Sequence, residues 1–418
     1  MLTPIACEKT KWMGPAGDSL LVQGRAPEDI QVLAERYAGT LQTIYIDPPF
    51  NTGKRFDARV PAGPEAHRAR KGNLLLEAYD DRYPDTGTYL AMMRQTLLAC
   101  RKLLREEGTI FLHCDGRMNA HLRLLMDEVF GENQFLNEIV WAYQSGGRSR
   151  SFFPRKHDTI LFYAKSRRYS FNLRAVPIGT VAQRDNHMRR EIDEQGRSYR
   201  AIRTGGKEYR YYEDQPVYPG DVWTDIAHLQ QRDPERTGFE TQKPLALIER
   251  CLACATQEGD LVGDCFLGSG TTAAAAARMG RRFLCMDESR LSIALAEKRL
   301  LDPKGVPLVG YSVEGAMALD GGAVVDYYPA IASYTVVLSD FFCPDAQAAG
   351  VAGLDAVERW QVGFLREGVF HSWQAGVRTH RAPALPGVLE MPVYGGEPCV
   401  VLTDCWGERR AFLPTRRT

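Results

Sequence analysis

The feature that most constrains this chain is a proline pair set directly after a short apolar run. Leu41-Gln42-Thr43-Ile44-Tyr45-Ile46 is apolar and partly β-branched. It is bounded by Gly39 on one side and by Asp47-Pro48-Pro49-Phe50-Asn51-Thr52-Gly53 on the other, the pattern of a short buried strand. Two prolines forbid both a continuing ladder and a helix start. The chain must therefore leave the sheet rigidly, presenting a carboxylate, fixed carbonyls and an aromatic face at the carboxyl end of a strand, where open α/β sheets bind ligands. Such a set suits work on a planar exocyclic amine. Asp47 can accept one amino hydrogen and the Pro48 carbonyl the other, which favours a tetrahedral nitrogen with a localised lone pair, while Phe50 can stack on the base. Taken alone, the same residues also describe a turn that Asp47 caps and the prolines stiffen.

A second stretch narrows the choice. Asp260-Leu261-Val262-Gly263-Asp264-Cys265-Phe266-Leu267-Gly268-Ser269-Gly270-Thr271-Thr272 reads as a strand and a glycine turn, followed by a helix over 273–279. Its five consecutive alanines give high helix propensity and a slim face. A second strand, 281–288, ends in Asp287-Glu288. Strand, Gly-x-Gly turn, helix, strand and acid describe a nucleotide-type site, in which glycines permit close backbone approach and the terminal acid meets ribose hydroxyls. A dinucleotide site is the competing reading. Against it, Ala273 replaces the third glycine of that fingerprint, Thr271-Thr272 precede it, and the acid lies only about 17 residues beyond Gly270.

With both stretches in view, the chain resembles the amino-methylating DNA methyltransferases that use S-adenosyl-L-methionine. Asp47-Pro48-Pro49-Phe50 is similar to the family's catalytic motif, and Asp264-Cys265-Phe266-Leu267-Gly268-Ser269-Gly270 to its cofactor motif. The catalytic motif comes first here, an order that resembles the beta group, which includes the modification subunits of type III restriction systems. The resemblance covers roughly residues 15–303. It implies an α/β, Rossmann-like methyltransferase sheet with helices on both faces. It implies catalytic roles for Asp47, Pro48, Pro49 and Phe50. It places Asp264 and the turn of Gly268 and Gly270 on the methionine part of the cofactor and Asp287 on its ribose, with Phe266, Thr271 and Asp47 also at the cofactor. Thr241-Gln242-Lys243-Pro244 is similar to a further family motif and brings Thr241 and Lys243 to the cofactor. The implied reaction is methyl transfer to N6 of adenine in duplex DNA, since relatives acting on N4 of cytosine more often carry Ser where this chain has Asp47. The alternatives are N4-cytosine transfer, or a DNA-binding recognition subunit without turnover. A dinucleotide oxidoreductase would leave Asp47-Pro48-Pro49-Phe50 unexplained.

The chain has 52 basic and 52 acidic side chains in 418 residues, an unusual balance for a DNA binder. Their distribution is uneven. Residues 148–210 carry 16 Lys and Arg against 6 Asp and Glu, whereas residues 304–418 carry 9 against 12. One basic block fits an electrostatic footprint confined to one face. Lys54, the basic loop bearing Arg148 and Arg150, and Arg197, Arg200 and Arg210, which alternate with tyrosines, are the candidate DNA contacts. No apolar run reaches the roughly 20 residues of a membrane helix, and the first residues lack a signal pattern. Ten scattered cysteines fit a reduced, cytoplasmic protein. The one close pair, Cys251 and Cys254, falls inside an expected helix and reads as packing rather than a metal site, and no metal-ligand cluster is evident.

The resemblance, with the change of character after residue 303, implies four regions: a catalytic half (1–165), a target-recognition insert (166–240), a cofactor half (241–303) and a small β-rich C-terminal domain (304–418). Within the first, residues 51–85 read as a polar loop, either a mobile lid or disorder. Amphipathic helices are expected over 88–105 and 119–130, with a buried strand between them. At the end of that strand His113 or Asp115 either borders the pocket or is a satisfied polar residue. The tail resembles the C-terminal extension of some type III-like enzymes. Extra DNA contacts, a homodimer surface and docking of a restriction subunit are its possible roles, and its mildly acidic balance favours docking.

Overall fold

The computed structural model describes residues 1–12, 18–69, 73–143, 149–183, 189–301, 307–393 and 396–418. A 14-stranded sheet runs through the molecule. At its centre, Leu41–Ile46 lies between Leu104–Cys114 and Leu261–Asp264, parallel to both. Arg282–Asp287 and Ser19–Gln23 continue the parallel run. His157–Ala164 and Phe135–Ala142 extend the other side as antiparallel strands. Every residue of Leu41–Ile46 is buried, as a strand covered on both faces requires. The apolar run and the proline stop thus read as expected.

Helices cover both faces. Glu28–Arg36, Thr86–Leu103 and Asn119–Phe130 pack one side through Ile30, Leu33, Met93, Leu97, Leu122 and Met126. Leu245–Ala255, Thr271–Arg278 and Arg290–Arg299 pack the other through Leu247, Cys251, the alanine run and Ile293. Thr86–Leu103 starts where Asp85 accepts the Thr88 N–H at 2.7 Å, satisfying an otherwise open donor of the first turn. Cys251 and Cys254 both point into this core, so the pair packs a helix as expected.

Residues 51–85 are not the structureless loop the polar composition suggests. Lys54–Pro61 and Asn73–Asp81 form an antiparallel hairpin, with a short helix, Gly63–Ala69, between them. The hairpin is pinned to the rest of the fold. Phe56 stacks on Tyr79, and Tyr79 on Phe239. Buried His67 reaches Glu358 at 3.0 Å, and Lys298 binds the same carboxylate. Alternating burial at Ala58 and Val60 is the strand signal that a high polar content masked.

The tail also departs from the expected separate domain. Tyr311–Glu314 pairs in parallel with Ser19–Gln23. Lys9–Trp12 then lies between Tyr311–Glu314 and Val369–Val377, so the central sheet continues into Val357–Arg366, Glu397–Asp404 and Arg409–Phe412. A second sheet of Val388–Pro392, Ser333–Phe342, Gly322–Pro329 and Thr415–Arg416 contributes Val325, Val336, Leu338 and Leu389 to a shared core with Trp360 and Val362. The tail is β-rich, and the break expected at residues 302–305 lies outside the described residues. A buried ion pair, Glu297 to Arg359 at 2.6 Å, ties the helix Arg290–Arg299 to this region.

Candidate active site

Asp47 directly follows the central strand Leu41–Ile46 and precedes the prolines. Beside it, the strand Leu261–Asp264 ends at Asp264, and Arg282–Asp287 ends at Asp287. Three parallel strands thus deliver three carboxylates to one edge of the sheet. They surround a cavity of about 550 Å³ that is also lined by Pro48, Pro49, Phe50, Thr241, Lys243, Phe266, Gly268 and Thr271. Of the twelve residues expected at the site, these eleven, all but Gly270, converge on one space, although they come from stretches about 200 residues apart.

Each side chain has an identifiable support. The turn after Asp47 is shaped by Asp81, at the end of the hairpin. Its buried carboxylate accepts the N–H groups of Phe50 at 3.3 Å, Asn51 at 2.8 Å and Thr52 at 3.0 Å. Asn51 adopts φ +53° there, a conformation Asn tolerates better than most residues. Gln242 knits the approach to the Thr241-Gln242-Lys243-Pro244 turn, accepting the Thr237 N–H at 2.8 Å and donating to the Glu235 carbonyl at 2.9 Å. Pro244 then caps the helix Leu245–Ala255. This leaves Lys243 aimed inward. Its Nζ lies 2.5 Å from Asp47 Oδ2 and 5.3 Å from the Phe50 ring centroid. Thr241 accepts the Tyr79 hydroxyl at 3.4 Å.

Asp47 is half engaged. Oδ2 is held by Lys243, whereas Oδ1 is buried with no hydrogen-bond partner among the described residues. An ion-paired carboxylate can only accept, and an open buried acceptor is costly unless something arrives to fill it. The two neighbouring acids are also unbalanced. Burial pushes Asp264 up to about 8, against the Thr272 hydroxyl and the Phe266 N–H that favour its charge. Burial likewise raises Asp287 to about 6, although the Gly268 N–H donates to it at 2.7 Å and the Ser289 N–H at 2.9 Å. With Glu28, Asp80 and Glu288 the lining holds six acids against Arg25, Arg82 and Lys243, a balance that suits a cationic guest. S-adenosyl-L-methionine, with its sulfonium and ammonium, fits that chemistry.

The glycine turn divides its labour. Gly268, at φ +54°, lines the cavity. Gly270 faces away from it: a Cβ there would fall 2.6 Å from Ala296 Cα at φ +79°. Its bareness serves the packing of Thr271–Arg278 against Arg290–Arg299, so the structure does not bring Gly270 to the cofactor space. Thr271 does line the cavity, and its hydroxyl also bonds the Lys243 carbonyl at 3.3 Å.

Two features escaped sequence reasoning. Asp81 sits in the stretch read as a polar loop, and no spacing relates it to Asp47. The second is a chain of polar groups behind Phe50. His113 stacks on the Phe50 ring at 6.1 Å with an 18° tilt. Its Nδ1 meets the Tyr45 hydroxyl at 2.8 Å and its Nε2 meets Asp158 at 3.1 Å. Tyr143 donates to the other Asp158 oxygen at 3.1 Å. Burial alone would raise Asp158, but the His113 bond and charge, with Lys243 and Tyr143, hold it at about 2. Neither His113 nor Asp115 lines the cavity. Asp115 accepts from Arg117 at the start of Asn119–Phe130 instead.

The expected DNA contacts are more dispersed. Lys54 is exposed beside the catalytic turn, and Arg150 is exposed in the loop after Phe135–Ala142; Arg148 lies outside the described residues. Arg197, Arg200 and Arg210 belong to or flank a small sheet of Arg190–Ile192, Ser198–Thr204 and Lys207–Tyr212. There they are engaged locally. Arg197 pairs with Asp214 at 3.1 Å and covers Tyr212. Arg200 lies 3.8 Å from Glu213. Arg210 pairs with Glu208 at 2.6 Å and covers Tyr199. The tyrosine–arginine alternation thus packs its own sheet, and from Arg190 to Asp214 six Lys and Arg meet six Asp and Glu.

The fold and this constellation define an α/β enzyme of the kind that methylates amino groups of bases. The profile of the DNA methylase family matches residues 41–298, and the chain belongs to that family. Among curated relatives, the type II methyltransferase M.EcaI of Enterobacter cloacae is 26% identical over 61% of this chain, which spans 64% of that enzyme's length. M.HpaI of Haemophilus parainfluenzae, also a type II methyltransferase, is 25% identical over 65% of this chain and 71% of its own. The DNA adenine methyltransferase YhdJ of Escherichia coli K12 is 26% identical over 70% of this chain and 86% of its own. Among solved structures, TTHA0409 of Thermus thermophilus, complexed with S-adenosyl-L-methionine, is 18% identical. It aligns over 72% of this chain and 100% of its own at a TM-score of 0.42. The likeness to type III subunits rests on the order of the motifs and on the tail.

Proposed function

We propose that the chain transfers a methyl group from S-adenosyl-L-methionine to N6 of adenine in duplex DNA. One observation carries this reading: the buried Asp47 Oδ1 has no partner among the described residues, while its other oxygen is fixed by Lys243. S-adenosyl-L-methionine supplies an electrophilic methyl on a sulfonium, and Asp264, Asp287, Gly268 and Thr271 would hold it. Asp47 Oδ1 accepts an amino hydrogen of the extruded base and draws the nitrogen toward a tetrahedral form. Phe50, backed by His113, gives that base a flat surface. Lys243 locks the rotamer of Asp47, and Asp81 locks the turn, so the acceptor is aligned before the base arrives. Kinship with the adenine methyltransferase YhdJ supports adenine as the target. Duplex DNA is the partner, met in the reducing cytoplasm, and the tail offers a surface for a second copy or a restriction subunit.

The test is single-turnover methylation of unmethylated genomic DNA, with the product nucleosides read by mass spectrometry. N6-methyladenine is expected, and Asp47→Ala should abolish it while leaving cofactor affinity within a few-fold. N4-methylcytosine would overturn the choice of base, and turnover by Asp47→Ala would overturn the catalytic assignment.

A further inference from the structure

The loop residues 149–156 lead into the strand His157–Ala164, which pairs antiparallel with Phe135–Ala142, Ala142 lying opposite His157. His157–Ala164 runs antiparallel to Leu104–Cys114, which is parallel to Leu41–Ile46. The loop therefore leaves the sheet at the edge where Asp47 stands. Its base is closed by the Tyr143 N–H bonding the Lys156 carbonyl at 2.9 Å. Its root also touches the catalytic turn, because Tyr143 bonds Asp158, Asp158 bonds His113, and His113 stacks on Phe50. Out on this loop, Phe153 is 96% exposed and Phe152 is 65% exposed. Arg150 and Arg155 are exposed beside them, with the Arg155 guanidinium 5.9 Å from the Phe152 ring. Nothing among the described residues accounts for two neighbouring phenylalanines in water, since a fold loses hydrophobic stabilisation by leaving them there.

We infer that Phe153 is a stacking wedge: it enters the DNA duplex at the target site and occupies the place that the extruded nucleotide leaves. Flanking arginines suit the phosphates on either side of such a gap, and an aromatic ring restores stacking to bases of any sequence. Phe152, covered by Arg155, stays behind it as a support. The role is distinct from that of Phe50, which faces the cavity and meets the base after extrusion. The inference rests on the proposed reaction with duplex DNA.

The test uses the full chain and an oligonucleotide duplex carrying the site mapped from wild-type product, either fully paired or with an abasic residue opposite the target. In the abasic duplex there is no pair to break, so a wedge has less to do. Phe153→Ala should lower kcat/KM on the paired duplex at least tenfold and on the abasic duplex less than threefold, with S-adenosyl-L-methionine affinity unchanged. Phe153→Trp should retain activity within threefold on both. Equal losses on the two duplexes, or no loss on either, would overturn the wedge while leaving the reaction intact. A wild-type chain that methylates no DNA would remove the underlying reading and the wedge with it.

Discussion

If the cofactor's cationic groups bind against an ionised Asp264, its affinity must follow the ionisation of that side chain. Burial holds Asp264 at about 8 in the empty protein. Only about one molecule in a hundred then carries the charge at pH 6, and about one in four at pH 7.5. Apparent affinity scales with the competent fraction, so the Kd for S-adenosyl-L-methionine should fall roughly 25-fold across that window, about 1.9 kcal/mol. Asp287, raised to about 6, adds up to another factor of about two at the acid end. The window stops at pH 7.5 because the cofactor's own amino group begins to titrate above it. Binding at pH 7 should also release close to one proton. Calorimetric titrations in two buffers of different ionisation enthalpy read both quantities. A Kd constant within threefold, with no proton release, would refute the charge-matching account. Asp264→Asn should lose both the slope and the proton release, and retention of either would move the titration to another group. The empty protein should show the opposite trend. Asp264 keeps a proton in the fold that the unfolded chain loses near 3.8, so its contribution to stability declines as pH rises from there toward 8.

Two structural predictions follow from packing. Gly270→Ala places a Cβ against the backbone of Ala296 at a left-handed φ, which should cost about 2–5 kcal/mol. Urea unfolding reads it, and a wild-type midpoint would show that the two helices do not need the close approach. Arg359→Met strands the fully buried Glu297 and should lose about 3–5 kcal/mol. Glu297→Met in the same chain should restore most of that loss, and no recovery would mean that Arg359 acts through packing rather than through its charge.

The sheet, its helices and the two ends of the site were legible because each rests on a local pattern. Leu41–Ile46 is apolar and stops at prolines; Thr271–Arg278 follows a glycine turn; Asp287 ends a strand. What stayed hidden depends on contacts between remote residues. Lys243 and Asp47 are 196 positions apart, and nothing in either segment announces the ion pair. Asp81 serves a turn about 30 residues upstream through backbone donors that carry no side-chain signature. His67, Glu358 and Lys298 pin the stretch read as a polar loop, lid or disorder, into a hairpin by meeting across three distant segments. Gly270 misled for a subtler reason: a glycine motif says that space is short, not which neighbour fills it. The arginine count of the insert misled because the acids that answer it begin within and just beyond the counted stretch.

The strand Lys9–Trp12 sits between Tyr311–Glu314 and Val369–Val377. It is a keystone placed by the beginning of the chain between two pieces from its end. A ribosome makes it some 300 residues ahead of its partners on both sides, so the join between the methylase sheet and the tail closes late, after a long stretch of chain has been made. Removing Lys9–Trp12 would then cost more than one strand. It would open a seam in the middle of the sheet, exposing two unpaired strand edges to neighbouring chains. Truncations and genetic fusions at this end should be judged by aggregation before they are judged by activity.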